Sequence, residues 1–258
     1  MMGNFFAFLV GLALGSFLNV LATRLPVKER FWAGRSRCPH CRTTLAWHDN
    51  LPVFSFLYLR GRCRFCGAAI PWRYPLLELA GGLLALALWL QYPWSPRLLA
   101  YGPFGAALLA LTAIDLEHRL LPDVITYPGT VAGLLLALFL PSPGFWEALL
   151  GAVLGGGFFF LVGWVYEKFS GKTGMGGGDV KLLAMIGAFL GVSSLPFIIF
   201  ISAALGTLVG LGLTLVGGAW RGGQWRTTRI PFGPFLAAAA FLYLFTGEVL
   251  LRYMRLIR

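Results

Sequence analysis

Apolar runs of 17–22 residues alternate with short polar stretches along almost the whole chain. Phe5–Ala22, Tyr74–Leu90, Leu98–Ile114, Val124–Leu140, Trp146–Tyr166, Leu195–Val216 and Phe232–Leu251 are each close to the roughly 20 residues that a membrane-spanning helix needs. An eighth run, Val180–Leu190, is short and fits either a span or a re-entrant segment. The pattern predicts an all-α polytopic membrane protein of about eight transmembrane helices. It divides into a first helix (1–22), a polar cytosolic loop domain (23–73) and a membrane core of about seven helices (74–258).

Composition supports a bilayer rather than an aqueous setting. The 258 residues are 58% hydrophobic and only 12% charged, against about 25% charged in soluble domains. The 34 glycines suit close packing between membrane helices. The first run has no basic residue before it and basic residues after it, so it reads as a retained span with its N-terminus outside. The loops at 23–72, 115–123, 167–179 and 217–231 then lie inside and carry most of the Lys and Arg, whereas the basic tail after Arg252 breaks the rule. The net charge of +11 is read as orientation and lipid-headgroup contact, with no nucleic-acid partner. The Gly-rich stretch from Glu167 to Asp179 reads as a flexible loop.

All four cysteines fall in the first cytosolic loop, as Cys38-Pro-His-Cys41 and Cys63-Arg-Phe-Cys66, separated by 21 residues. Two such pairs offer four thiolates in tetrahedral array, which suits structural zinc. Disulfides are disfavoured on the cytosolic side, and a metal would order a loop too small for its own core. His40 and His48 are read as solvent-facing. A redox role for the CxxC pairs is disfavoured, because the βαβ pattern that accompanies such sites is missing.

Ionisable residues at or inside spans are costly and point to function. Asp115 lies at the inner end of the third span, and Asp179 at the start of the sixth, after Gly176, Gly177 and Gly178. Two carboxylates sharing a site divide one proton between them, so one can activate water while the other donates to a leaving amine. The plain structural alternative is that Asp115 ends its helix and Asp179 caps the next. Lys181 is placed to act on Asp179 or to anchor to headgroups. Glu78, early in the second span, pairs with Arg73 or a substrate amine, or reaches for interfacial water. Asn19 reads as helix–helix glue. A competing class is an ion or solute transporter with a zinc-stapled loop, though transport carboxylates usually sit near the midplane. There is no GxSxG or HExxH motif.

The segment GGGDVKLLA (Gly176–Ala184) resembles the GxGD signature of intramembrane aspartyl proteases. LTAIDLEHRLLPD (Leu111–Asp123) is similar to the first-aspartate motif of type IV prepilin peptidases, as are GSFLNV (Gly15–Val20) with Arg24-Leu25-Pro26, RYPLLELAGG (Arg73–Gly82) and the double CxxC. The resemblance runs from residue 15 to about 184. It implies a bacterial inner-membrane endopeptidase that removes the short basic leader of prepilins and pseudopilins at the cytosolic face. It also implies methylation of the new N-terminal amine with S-adenosylmethionine. By position it implies Asp115 and Asp179 as the catalytic pair, Asp123 as a secondary acidic position, and the cysteines as metal ligands; Gly176 and Gly178 of the glycine run, with Lys181 and Glu78, complete the secondary candidates. The methylation rests on resemblance alone: no soluble-methyltransferase glycine motif is visible.

Overall fold

The computed structural model describes residues 2–30, 32, 34–171, 176–218 and 230–256. The side chains of 216–218 and 248–256 are not part of the description. Nine α-helices are described: α1 (Met2–Arg24), α2 (Phe54–Tyr58), α3 (Arg73–Gln91), α4 (Pro96–His118), α5 (Asp123–Leu136), α6 (Phe145–Ser170), α7 (Gly177–Leu190), α8 (Leu195–Gly218) and α9 (Gly233–Leu256). Among the described residues the only β-type pairing is two isolated bridges in the cysteine loop. All eight expected apolar runs are helical, and the all-α expectation holds. By length and composition, α1, α3, α4, α6 and the stretch Val192–Leu215 are able to cross a membrane.

Much of the apolar surface faces outward. Phe5, Phe6, Leu83, Phe160, Phe200 and Leu208 are all exposed, and only 11% of the most apolar stretch within Val192–Leu215 is buried. Water would penalise such a surface and lipid does not.

The chain divides into two compact units, Met1–Ile114 and Asp115–Arg258. In the first, α1 packs along α3. The contact depends on missing side chains: a Cβ at Gly11 would strike the Gly81 carbonyl, and one at Gly15 would strike the backbone of Glu78. Asn19 adds a polar tie, its Nδ2 donating to the Tyr74 carbonyl at 3.0 Å. The glue reading of Asn19 therefore has a stated partner.

In the second unit α7 is the buried element. It packs against α5, α6 and α9, and every residue from Leu182 to Leu190 except Ala184 is buried. Gly151 of α6 and Gly187 of α7 meet backbone to backbone, while Gly129 and Gly133 of α5 admit Met185 and Phe189. At 14 residues, α7 rises about 21 Å, short of the roughly 30 Å hydrocarbon core. Its protein surroundings provide what a short helix lacks in lipid.

Some boundaries differ from the expected ones. α6 runs on to Ser170, so the segment from Glu167 is helical for a further turn before Gly171, in the left-handed region (φ 64°), ends it with its N–H on the Glu167 carbonyl. Of the expected Gly-rich loop, residues 172–175 lie outside the described residues, as does the basic segment from Arg221 to Arg229. α5 stops at Leu136, four residues before the expected end, and gives way to a turn.

Candidate active site and metal centre

Within the second unit, four helix ends supply the candidate site. Asp115 lies in the last turn of α4, Asp123 opens α5, Asp179 is in the first turn of α7, and Gly233 is the first residue of α9. Asp115 does not end its helix, which continues to His118. Asp179 does not cap α7 either: that position is Gly176, and Asp179 sits three residues in. Its carboxylate instead lies in the helix's first turn, where the dipole favours negative charge.

Asp115 is 5% exposed, and its Oδ2 accepts the backbone N–H of Gly233 at 3.0 Å. Asp179 is half-buried, and the two carboxylates are close enough for their charges to act on each other. Leu121 fills the space between the contributing segments. A Cβ on Gly178 would come within 3.0 Å of Leu121, and one on Gly233 within 2.6 Å of Asp115 Oδ2 and 3.3 Å of Leu121. At Gly178 a side chain would therefore press on Leu121, in the turn after α4, and make it give by a few tenths of an ångström. Gly176 accepts the Asp179 N–H at 3.1 Å through its carbonyl. Such a pair can hold one proton and one water between them.

The other candidates have partners of their own. The Lys181 ammonium lies 2.7 Å from Asp123 Oδ1 and stacks on the Tyr127 ring at 5.0 Å. Glu78 belongs to the first unit, where its Oε2 accepts the Val53 N–H at 2.7 Å. That bond holds a β-branched residue at φ 62°, a conformation that bulky residues resist.

The cysteine loop is built from two copies of one turn. Cys38 N–H donates to the Thr43 carbonyl and Arg42 N–H to that of Cys38; 25 residues on, Cys63 N–H donates to Ala68 and Gly67 N–H to Cys63. The bridges Arg37–Thr44 and Arg62–Ala69 close the two turns. Arg42 (φ 58°) and Gly67 (φ 68°) occupy the same left-handed corner. The four Sγ atoms lie within 4.8 Å of one another, with Cys38 and Cys66 at 3.8 Å. A tetrahedral site with metal–sulfur bonds of about 2.3 Å has sulfur–sulfur edges of about 3.8 Å, so the donor set fits a metal ion. The Thr43 hydroxyl and N–H hold the Cys41 thiol down at about 6. The N–H groups of Cys66 and Phe65 lower Cys63. At Cys66 the Ala68 N–H pulls downward, but burial and the other three sulfurs push the thiol up to about 11. Four thiols this close cannot all ionise without a cation among them. His40 and His48 are exposed and lie outside the sulfur cluster, as expected.

Sequence reasoning missed Gly233. The signal was present in Pro231-Phe232-Gly233-Pro234, a rigid turn opening the last apolar run. It also missed the ion pair in which Arg64 clamps the buried Asp49, with Nε at 2.8 Å and the second nitrogen at 2.6 Å from Oδ1.

The fold and these two centres define a multi-pass membrane protein with paired carboxylates at helix ends and a four-thiol metal loop. The family profile described as the bacterial peptidase A24 N-terminal domain matches residues 9–92, and that of the type IV leader peptidase family matches residues 102–211. The chain belongs to the type IV leader peptidase family. A prepilin leader peptidase/N-methyltransferase of Burkholderia pseudomallei is 41% identical, over 94% of this chain and 85% of its own length. Namesakes from Aeromonas hydrophila (37%; 95% and 91%) and Myxococcus xanthus (40%; 83% and 64%) are similar too. No solved structure matches.

Proposed function

We propose that the chain is a membrane-embedded aspartyl endopeptidase that removes the basic leader from type IV prepilins and pseudopilins, and that it also N-methylates the new terminus. Family membership carries the first activity and the relatives' shared name the second. The observation that carries the site is the engagement of Asp115 by the N-terminus of α9, beside Asp179 at the start of α7.

The mechanism follows from that geometry. A prepilin enters with its leader in water and its apolar helix in the bilayer, and the scissile bond reaches the boundary where the helices end. The Gly233 N–H fixes the Asp115 carboxylate in one orientation. One aspartate takes a proton from the water held between them, and the other gives a proton to the departing nitrogen. No covalent intermediate is required. The Asp123–Lys181 pair ties the start of α5 to α7 and so holds the frame.

We read the metal as zinc, held by Cys38, Cys41, Cys63 and Cys66. All four positions are filled by thiolates, so its role is to fix the loop. The protein is placed in the bacterial inner membrane, N-terminus outside, with the zinc loop and the aspartates at the cytosolic face. The concentration of basic residues in those loops supports this. The transport reading draws no support from the family.

The test is cleavage of a synthetic prepilin in detergent by wild type, Asp115→Asn and Asp179→Asn, with folding followed by gel filtration. Both variants should fold and lose cleavage by at least about 10²–10⁴-fold. Full activity in either variant removes that residue from the pair.

A further inference from the structure

A groove of about 540 Å³ in the first unit lies between α2 and the segment that leads from the second cysteine pair into α3. Phe56 and Leu57 come to it from α2, Arg60 and Arg62 from the turn that follows, and Ile70 and Trp72 from the approach to α3. It shares no residue with the carboxylate pair or the sulfur cluster.

The backbone beneath the two arginines is fixed. Arg60 N–H donates to the Leu57 carbonyl at 3.1 Å, Gly61 N–H to that of Phe56 at 2.9 Å and Arg62 N–H to that of Leu59 at 3.1 Å. Ile70 N–H donates to Gly61 at 2.7 Å, and the bridge Arg62–Ala69 closes the turn. Arg60 stands in the left-handed region at φ 52°, where glycine is at ease and a residue with a Cβ is strained. Such strain persists where the side chain has a use. The Phe56 ring, buried, packs on Trp72 with centroids 4.9 Å apart. Leu57 is nevertheless 64% exposed and Trp72 69%.

The groove carries two positive charges and no negative one. The unit's three carboxylates are Glu29, Asp49 and Glu78, and none of them lines it. Asp49 is held by Arg64, and Glu78 accepts the Val53 N–H. No carboxylate among the described residues pairs with Arg60 or Arg62. Guanidinium forks match the oxygens of a phosphate, whereas a basic leader peptide carries the wrong sign. Trp72 is followed at once by Arg73, the first residue of α3, which is long and apolar enough to cross a membrane. That end of the groove therefore lies where a span meets water, the level of lipid phosphates and the level at which Trp is favoured.

We propose that this groove binds the phosphate headgroup of an anionic phospholipid from the bilayer that α3 enters. Arg60 and Arg62 hold the phosphate, and the exposed faces of Leu57 and Trp72 meet the glycerol and the upper acyl chains. The bound lipid ties α2 and the second cysteine turn to the membrane surface. The assignment stands apart from the peptidase and methyltransferase readings, since no residue of the groove belongs to either.

The experiment uses the full-length protein, purified with its metal in neutral detergent micelles. A phosphatidylglycerol carrying a photoreactive group near its headgroup is added at sub-saturating level, and the label is located by peptide mapping. In wild type it should fall within residues 54–76 and be displaced by plain phosphatidylglycerol but not by phosphatidylcholine. Arg62→Gln and Arg60→Gly should each lower that labelling about fivefold. The glycine variant also relieves the strained corner, so the charge is lost without burdening the turn. Lys28→Gln removes one exposed charge outside the groove and should leave the labelling unchanged. Wild-type label absent from residues 54–76 overturns the site. Equal losses in Lys28→Gln and Arg62→Gln overturn it as well, because diffuse surface charge then accounts for the attraction. Displacement by free glycerol phosphate as effective as by phosphatidylglycerol overturns the lipid and assigns the groove to a soluble phosphate compound. Location is read on the wild type, so it decides the matter even if a variant misfolds.

Discussion

Gly233 offers a test of the site that separates chemistry from stability. Its backbone N–H donates to Asp115 Oδ2, and a Cβ built there would sit 2.6 Å from that oxygen and 3.3 Å from Leu121. Ordinary van der Waals contact begins at 3.4 Å, so Gly233→Ala forces the carboxylate aside by about 0.8 Å. A displacement of about 1 Å costs about 10² in rate, so kcat for leader cleavage should fall about 10–50-fold with KM nearly unchanged. Stability should fall by about 0.5–2.5 kcal/mol. The weakened bond to a carboxylate costs about 1.5–3 kcal/mol, while alanine within a helix recovers about 0.5–1 kcal/mol relative to glycine. The displaced group is the free end of a side chain, so no helix has to move. The assay is steady-state cleavage of a synthetic prepilin in detergent, with thermal unfolding of the same samples. A folded variant cutting at the wild-type rate refutes the argument, and so does a raised KM at unchanged kcat, which would assign Gly233 to leader binding.

Gly187→Ala should behave in the opposite way. Its Cβ would run into the Gly151 backbone, which cannot rotate away, so a loss of about 1–3 kcal/mol or more is expected as a lowered unfolding temperature in detergent. Metal binding should strengthen with pH. The bound form carries four thiolates, whereas the free form keeps a proton on Cys66, pushed up to about 11, and loses the one on Cys41 above about 6. Affinity measured against a chromophoric chelator should therefore fall steadily from pH 9 to pH 6, and a flat profile would count against four-thiolate ligation. Arg42→Gly and Gly67→Val should shift metal retention in opposite directions, because both residues hold the left-handed corner of a turn. The first relieves a strain of about 1–2 kcal/mol and the second introduces one of that size, readable as the rate of metal loss to excess chelator.

The sequence by itself determined what depends on local pattern and composition. Runs of about 20 apolar residues can only be satisfied as helices in lipid, so every expected apolar segment is helical. The CxxC spacing was legible because ligand geometry at a metal restricts it. The two aspartates stood out because charge at a span end is costly. Tertiary structure decided the rest. Gly233 lies 118 residues from Asp115, and no periodicity reports a backbone N–H arriving from another helix. Lys181 stands between Asp179 and a lipid headgroup in the sequence, and the structure brings Asp123 of α5 within 2.7 Å of it. For Glu78 the sequence offers Arg73, a substrate amine or interfacial water, and the loop fold adds the N–H of the strained Val53 as a donor. Asn19 Oδ1 and Asp49 Oδ2 are buried without a partner among the described residues, which is likewise invisible in sequence, because a missing hydrogen bond is defined only by everything that packs around it. Pattern fixes which segments are buried in lipid, while the direction in which a polar atom points is settled only when helices distant in sequence close against one another.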